Sequence, residues 1–136
     1  MRPVMLDTNA YTAFMLGAEE VVDVLAHADK LYVNSIVLGE LLGGFAAATR
    51  EPKNRAELAR FLDSPRVEVL PVTPETADSY ALVYANLRRK GQLIPTNDLW
   101  IAASALEHGA ALLTRDAHFS HVDGLRSGQR LEDFLP

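Results

Sequence analysis

Cysteine is absent from the 136 residues of this sequence, and aromatic residues make up only 7% of it. The lack of cysteine excludes thiol nucleophiles, iron–sulfur clusters, thiolate zinc sites and disulfides, and it fits a reducing cytoplasm. Basic residues number 13 against 18 acidic ones, and the net charge of -5 argues against nucleic-acid binding through a broad positive surface. A nucleic-acid enzyme that uses metal ions is still compatible with this balance.

Long apolar segments are also missing. No run approaches the roughly 20 apolar residues that a membrane-spanning helix needs. The acidic Asp7 follows the start of the chain too soon for the apolar region of a signal peptide. We therefore expect a cytoplasmic protein with no membrane segment, and at this length a single domain covering residues 1–136.

Short apolar runs alternate along the chain with segments of helical spacing. The runs predict strands at 4–6, 31–33, 67–72 and 110–113, with an additional edge strand at 121–122. The helical segments are 10–16, 19–28, 36–49, 52–62, 76–90 and 99–107. Thr8 or Asn9 is expected to cap the first helix. This alternation predicts an α/β fold with a mostly parallel, four- to five-stranded sheet covered by helices on both faces.

Four acidic residues stand in unusual places. Asp7 and Asp116 follow the first and fourth predicted strands, and ligands of open parallel sheets bind beyond those strand ends. Asp98 begins an apolar helix. Glu40 lies in a helix that is apolar nearly all round, which predicts burial or an interface, and no cation stands three or four residues away.

Each acid alone can be explained as a helix cap, a turn former or a member of a salt bridge. Converging on one pocket, they would form an oxygen-rich site for Mg²⁺ or Mn²⁺. Such ions support phosphodiester hydrolysis without help from cysteine or histidine. The four carboxylates would then account for most of the net charge of -5.

Four ordered segments carry a resemblance to a known family: 5–9, 35–41, 95–103 and 112–119. With these segments the chain resembles a PIN domain, and within that family the VapC-like ribonuclease toxins of toxin–antitoxin pairs. No single segment is specific, because each is one acid in an apolar setting. The ordered set covers nearly the whole chain and is more specific than its parts.

The resemblance implies a role for each matching residue. Asp7, Glu40, Asp98 and Asp116 would be the catalytic, metal-binding acids, and Glu40 would also help to position or activate the attacking water. Thr8, Asn9 and Thr114 stand where the family places groups that orient the carboxylates, although capping and turn formation explain these three equally well. Arg115 is either a phosphate contact or a solvated side chain.

The implied activity is that of a metal-dependent endoribonuclease, using Mg²⁺ or Mn²⁺ and leaving a 5′-phosphate and a 3′-hydroxyl. The implied partners are an RNA substrate, a cognate antitoxin protein and a second copy of the chain in a homodimer. In the resembled toxins the antitoxin covers the region of helix 36–48. An antitoxin arginine that enters the acidic pocket would compete with the metal for the carboxylates.

Other interpretations fit parts of the sequence. A catalytically silent PIN-like interaction module is the main alternative. A haloacid-dehalogenase-type phosphatase needs a second aspartate where Asn9 stands, and a zinc site of Asp116, His118 and His121 is less favoured. Two basic clusters could contact RNA or be solvated: Arg50, Lys53, Arg55, Arg60 and Arg66, and Arg88, Arg89 and Lys90.

Overall fold

The computed structural model describes residues 1–136, and its elements alternate between strands and helices. The strands are β1 (Val4–Leu6), β2 (Leu31–Asn34), β3 (Val67–Leu70), β4 (Ala111–Leu113) and β5 (Ser127–Gly128). The helices are α1 (Thr8–Met15), α2 (Glu19–His27), α3 (Ser35–Ala46), α4 (Glu51–Leu62), α5 (Pro74–Lys90) and α6 (Thr96–Glu107). Two short 3-10 helices, Ala117–His121 and Leu131–Asp133, follow β4 and β5.

The five strands form one sheet in the order β3-β2-β1-β4-β5, and every neighbouring pair is parallel. The register pairs Leu6 of β1 with Leu113 of β4. Because the strands are parallel, their carboxyl ends lie along one edge of the sheet. The predicted α/β fold, with its parallel sheet and helices on both faces, is confirmed.

The core is built around the two central strands. Every residue of β1 and β4 is buried, as expected for parallel strands covered on both faces. They belong to a cluster of 30 buried hydrophobic residues. The outer strand β3 is mostly exposed, with only Leu70 fully buried. The carboxyl ends of β1 and β4 therefore project from the most deeply buried part of the sheet.

Two strand–helix junctions are fixed by side-chain caps. Asp7 caps α1, with its Oδ1 accepting from the backbone N–H of Ala10 at 2.8 Å, so the prediction of Thr8 or Asn9 as the cap was wrong. Asp7 is preferred because the chain leaves β1 directly into the helix, and both Thr8 and Asn9 lie inside its first turn. Asn34 caps α3 in the same way, accepting from Val37 at 2.9 Å.

The structure corrects two further predictions. The fifth strand is Ser127–Gly128, whereas His121 and Val122 lie in and just after a 3-10 helix. A two-residue strand of serine and glycine has no apolar pattern by which it could be found. Helix α3 ends at Ala46, and only Val37 and Leu41 of it are fully buried in the single chain. No helix of the chain has the length and apolar character needed to span a membrane.

Candidate active site

The order of the strands brings two of the predicted acids together. Asp7 and Asp116 follow β1 and β4, which are neighbours in the sheet. The backbone N–H of Asp7 continues the ladder by donating to the Leu113 carbonyl at 3.2 Å. Beyond β4, Thr114 donates its backbone N–H to Gly128 of β5 at 2.9 Å. The central strands therefore hold both acids at one edge of the sheet.

Asp7 is the most deeply placed carboxylate of this group, with a relative exposure of 5%. Its Oδ2 accepts from the Thr114 hydroxyl at 2.5 Å, and its Oδ1 accepts from the Ala10 N–H. Burial raises the pKa of Asp7 above its ordinary value of 3.8, and the negative charges of Asp98 and Asp116 add to this rise. The two hydrogen bonds oppose burial but do not reverse it. A nearby cation would favour the ionised form.

Asp98 and Asp116 are joined through the imidazole of His118. Its Nε2 lies 2.9 Å from Asp98 Oδ2, and its Nδ1 lies 2.9 Å from Asp116 Oδ1. Burial is the main cause that raises the pKa of Asp98, His118 acts against it, and the charges of Glu40 and Asp116 raise the pKa further. Asp98 and Asp116 therefore repel one another across a gap that the histidine ring partly fills.

Glu40 reaches the same edge from α3. Its Oε1 accepts from the Thr8 hydroxyl at 2.5 Å, and its Oε2 accepts from the Asn97 amide at 3.2 Å. These two bonds connect α3 to the first turns of α1 and α6. Neither partner carries a charge, so the carboxylate is oriented without being neutralised.

Hydrogen bonds bring all four predicted acids to this edge of the sheet. Thr114 joins Asp7 to Asp116, and His118 joins Asp116 to Asp98. Glu40 accepts from Thr8 and Asn97, the chain neighbours of Asp7 and Asp98. The Thr114 hydroxyl donates to Asp7 and the Thr8 hydroxyl donates to Glu40. The side chain of Asn9 is exposed and makes no hydrogen bond that would support such a role.

The sequence did not indicate the contacts that two residues, Asn97 and His118, make with the acids. Asn97 orients Glu40, which its place beside Asp98 did not indicate. The sequence indicates His118 only as part of the less favoured zinc site with Asp116 and His121, and the structure leaves His121 outside the cluster of Asp98, Asp116 and His118. Arg115 forms an ion pair with Glu20 of α2 at 3.0 Å. The sequence signal that could have placed His118 in the site is its position two residues after Asp116, because side chains so close in the chain can contact each other.

The donor set fits a divalent cation. Ligand atoms of Asp98, Asp116 and His118 all lie within 4.8 Å of one another. No lysine or arginine donates to any of the four acids. Carboxylate oxygens are the donors preferred by Mg²⁺ and Mn²⁺. The site thus concentrates negative charge that no lysine or arginine of the chain neutralises.

Comparison with known families assigns this arrangement to a class. The sequence profile of the PIN domain matches residues 4–125, and the chain belongs to that family. Among its relatives is Ribonuclease VapC5 of Mycobacterium tuberculosis, 30% identical over 123 residues and covering 90% of both chains. Ribonuclease VapC2 of Haemophilus influenzae is 32% identical over 130 residues, covering 93% of this chain and 97% of the relative.

Solved structures show the same similarity. The VapBC2 complex of Rickettsia felis bound to a DNA fragment from its promoter contains a chain with a TM-score of 0.81 and 28% identity, covering 93% of this chain and 97% of that one. The DNA-bound VapBC of Salmonella typhimurium gives a TM-score of 0.82 at 27% identity, covering 94% and 98%. Within the PIN family, the chain is therefore VapC-like.

Proposed function

We propose that this protein is a metal-dependent endoribonuclease that hydrolyses RNA phosphodiester bonds as the toxin of a toxin–antitoxin pair. The convergence of Asp7, Glu40, Asp98 and Asp116 at one edge of the sheet, where no lysine or arginine donates to them, carries this proposal. The relatives named Ribonuclease VapC support RNA as the substrate. We further propose that residues 1–136 act as one nuclease domain, which the single core cluster supports, and that the protein acts in the cytoplasm, which the absence of cysteine fits.

In this proposal Asp7, Asp98 and Asp116 hold Mg²⁺ or Mn²⁺, and Glu40 orients the attacking water. A divalent ion bound there would supply positive charge opposite the phosphate oxygens and lower the pKa of water. The hydroxyl groups of Thr114 and Thr8 keep two of the carboxylates in place. The orienting role proposed for Asn9 has no supporting contact, and Asn97 supplies such a contact at Glu40.

The proposed reaction is an in-line displacement at phosphorus. The water oxygen forms a bond to phosphorus while the bond from phosphorus to the 3′-oxygen breaks. The 3′-oxygen takes a proton from solvent water, which leaves a 5′-phosphate and a 3′-hydroxyl. Glu40 accepts the proton from water, because its carboxylate is held by two neutral donors and faces Asp98 rather than a cation. The acids alone thus provide a base and the ligands for a cation.

RNA must approach this negative site with help from basic side chains. Several basic residues are already engaged: Arg66 donates to the carbonyls of Leu25 and Ala28, Lys90 bonds to Asp123, and Arg115 pairs with Glu20. Four residues on or next to α4 have side chains that make no hydrogen bond or ion pair and are available for RNA phosphates: Arg50, Lys53, Arg55 and Arg60.

We also propose an antitoxin partner and a homodimer. A groove of about 430 Å³ between α3 and α4 is lined mainly by apolar side chains, among them Leu38, Leu42 and Leu62. Helix α3 additionally exposes Gly39 and Gly43, where another backbone can approach closely. The solved VapBC complexes support an antitoxin as the occupant of such a surface. Altering an antitoxin arginine that reaches the acids should abolish inhibition.

The decisive experiment compares RNA cleavage by the native chain with that by Asp7→Asn, in EDTA and with added Mg²⁺ or Mn²⁺. Asp29→Asn is the matched control, because Asp29 is exposed and precedes β2 at the opposite edge of the sheet. We expect metal-dependent cleavage by the native and control chains. Loss of one ligand should reduce the rate by at least the roughly 10–100-fold that follows loss of a ligand's supporting partner.

Sequencing the RNA ends tests the chemistry separately. A 5′-phosphate and a 3′-hydroxyl are expected. Cleavage that persists in EDTA, or that is equally strong in Asp7→Asn, would reject the metal-dependent mechanism. Absence of cleavage on any RNA, together with intact antitoxin binding, would favour the catalytically silent interaction module.

A further inference from the structure

His118 has a contact at each ring nitrogen, and both contacts are to carboxylates of the acidic site. Nδ1 lies 2.9 Å from Asp116 Oδ1, and Nε2 lies 2.9 Å from Asp98 Oδ2. The ring is 28% exposed and also packs against the buried ring of Phe119, with centroids 4.9 Å apart. Its orientation is therefore fixed by packing as well as by the two polar contacts.

The two contacts at His118 differ in kind. On the Asp116 side, Oδ1 also accepts the backbone N–H of His118 at 3.3 Å, so this contact belongs to a local turn. On the Asp98 side, the contact joins two separate elements, the 3-10 helix 117–121 and α6. A neutral imidazole carries only one N–H. The neutral tautomer with its proton on Nδ1 donates to Asp116 and leaves the lone pair of Nε2 available to a cation that Asp98 Oδ2 also contacts.

The distance between these atoms suits two ligands of one ion. Neighbouring ligands in an octahedral site with metal–ligand distances of about 2.1 Å are separated by about 3 Å. Nε2 and Asp98 Oδ2 are already 2.9 Å apart. The remaining nitrogen, Nδ1, faces a carboxylate, and this is the usual arrangement of a metal-binding histidine, whose second nitrogen donates to a carboxylate or carbonyl.

We propose that His118 binds the divalent ion through Nε2, and that this nitrogen ligand gives the site a preference for Mn²⁺ over Mg²⁺. Imidazole suits transition metals, whereas Mg²⁺ is served by oxygen ligands and water. Asp116 then has two tasks, as an acid of the site and as the acceptor that orients the ring. The inference rests on the proposed metal centre but not on RNA as its substrate.

The test measures metal binding by the full-length chain in the absence of RNA. Pulsed electron paramagnetic resonance of bound Mn²⁺ detects a directly coordinated nitrogen. Calorimetry gives dissociation constants for Mn²⁺ and Mg²⁺. His118→Gln replaces the nitrogen ligand with an amide oxygen, and His121→Gln is the matched control, an exposed histidine of the same 3-10 helix outside the cluster. His118→Asn is a second variant that lacks the imidazole. Thermal unfolding of each metal-free variant establishes that it folds.

We expect a nitrogen signal from the native chain and from His121→Gln, and its loss in His118→Gln. The Mn²⁺ dissociation constant should rise by about tenfold or more in His118→Gln, while that for Mg²⁺ changes by less than about threefold. Absence of a nitrogen signal in the native chain would overturn the inference. Two other results would also overturn it. An equal loss of Mn²⁺ and Mg²⁺ affinity in His118→Gln would show that the ring only positions the acids. Tighter metal binding by His118→Gln would show that the imidazole competes with the metal ion for the carboxylates.

The two proposals fail in distinguishable ways. Metal-dependent RNA cleavage without a nitrogen signal would leave the nuclease function standing and remove His118 from the ligand set. A nitrogen signal from the native chain without cleavage of any RNA would leave the ligand assignment standing and reject the nuclease function. Failure to bind Mn²⁺ at all would reject the metal centre and both proposals that depend on it.

Discussion

The contact between Thr114 and Asp7 provides the most direct test of how the fold prepares the acidic site. The hydroxyl donates to Asp7 Oδ2 at 2.5 Å, and the two residues are only 4% and 5% exposed. Thr114→Val keeps the shape of the side chain but removes the donor. A hydrogen bond to a charged group contributes about 1.5–3 kcal/mol, and water cannot readily replace it in a buried site. Thr114 Oγ1 also accepts the backbone N–H of Asp116 at 3.0 Å, so the variant loosens two acids at once.

We therefore expect the free energy of unfolding of metal-free Thr114→Val at neutral pH to fall by about 2–3 kcal/mol, measured by urea denaturation in EDTA. Calorimetry should show Mn²⁺ and Mg²⁺ affinities about 10–100-fold weaker, because an orienting partner of a ligand is lost. Thr114→Ser keeps the hydroxyl and should retain most of the native free energy of unfolding and most of the native metal affinity. Native-like stability and metal affinity in Thr114→Val, or equal losses in the serine variant, would refute the assigned role.

Three further predictions concern charge, packing and capping. Metal-free Asp7→Asn should be more stable than the native chain at neutral pH, since burial raises the pKa of Asp7 above 3.8 and folding favours its neutral form. In urea denaturation with EDTA, the difference in free energy of unfolding between Asp7→Asn and the native chain should shrink as the pH falls through the raised pKa of Asp7. Added Mn²⁺ should reverse the order of stability, because it stabilises only the native chain. Leu112→Ala, at a fully buried position of β4, should lower the free energy of unfolding by about 2–5 kcal/mol in urea titrations. Thr73→Ala removes the capping box of α5 and should cost about 1 kcal/mol in the same assay.

The sequence predicts the central part of the fold well because its signals there are local. β1 and β4 are short apolar runs followed by polar residues, and α5 ends at Lys90, directly before Gly91 with its positive φ of 68°. At the edge of the sheet these signals disappear. β5 consists of Ser127 and Gly128, which pair with β4 through backbone hydrogen bonds alone. Such a strand is determined by the neighbouring ladder and not by its own composition, so no periodicity could reveal it.

The same division between local and distant information runs through the site. Asp7 and Asp116 could be predicted to meet, because strand ends in a parallel sheet share one edge. The tie between Glu40 and Asn97 joins residues 57 positions apart, and nothing in either helix indicates the partner. His118 lies between these cases. Its bond to Asp116 is local, whereas its contact with Asp98 exists only after α6 has packed against the sheet. The bridge from Asp116 through His118 to Asp98 is assembled by folding, and it makes acids of separate elements depend on one another for their positions. Altering any one of these three residues should therefore change how well the other two hold a metal ion.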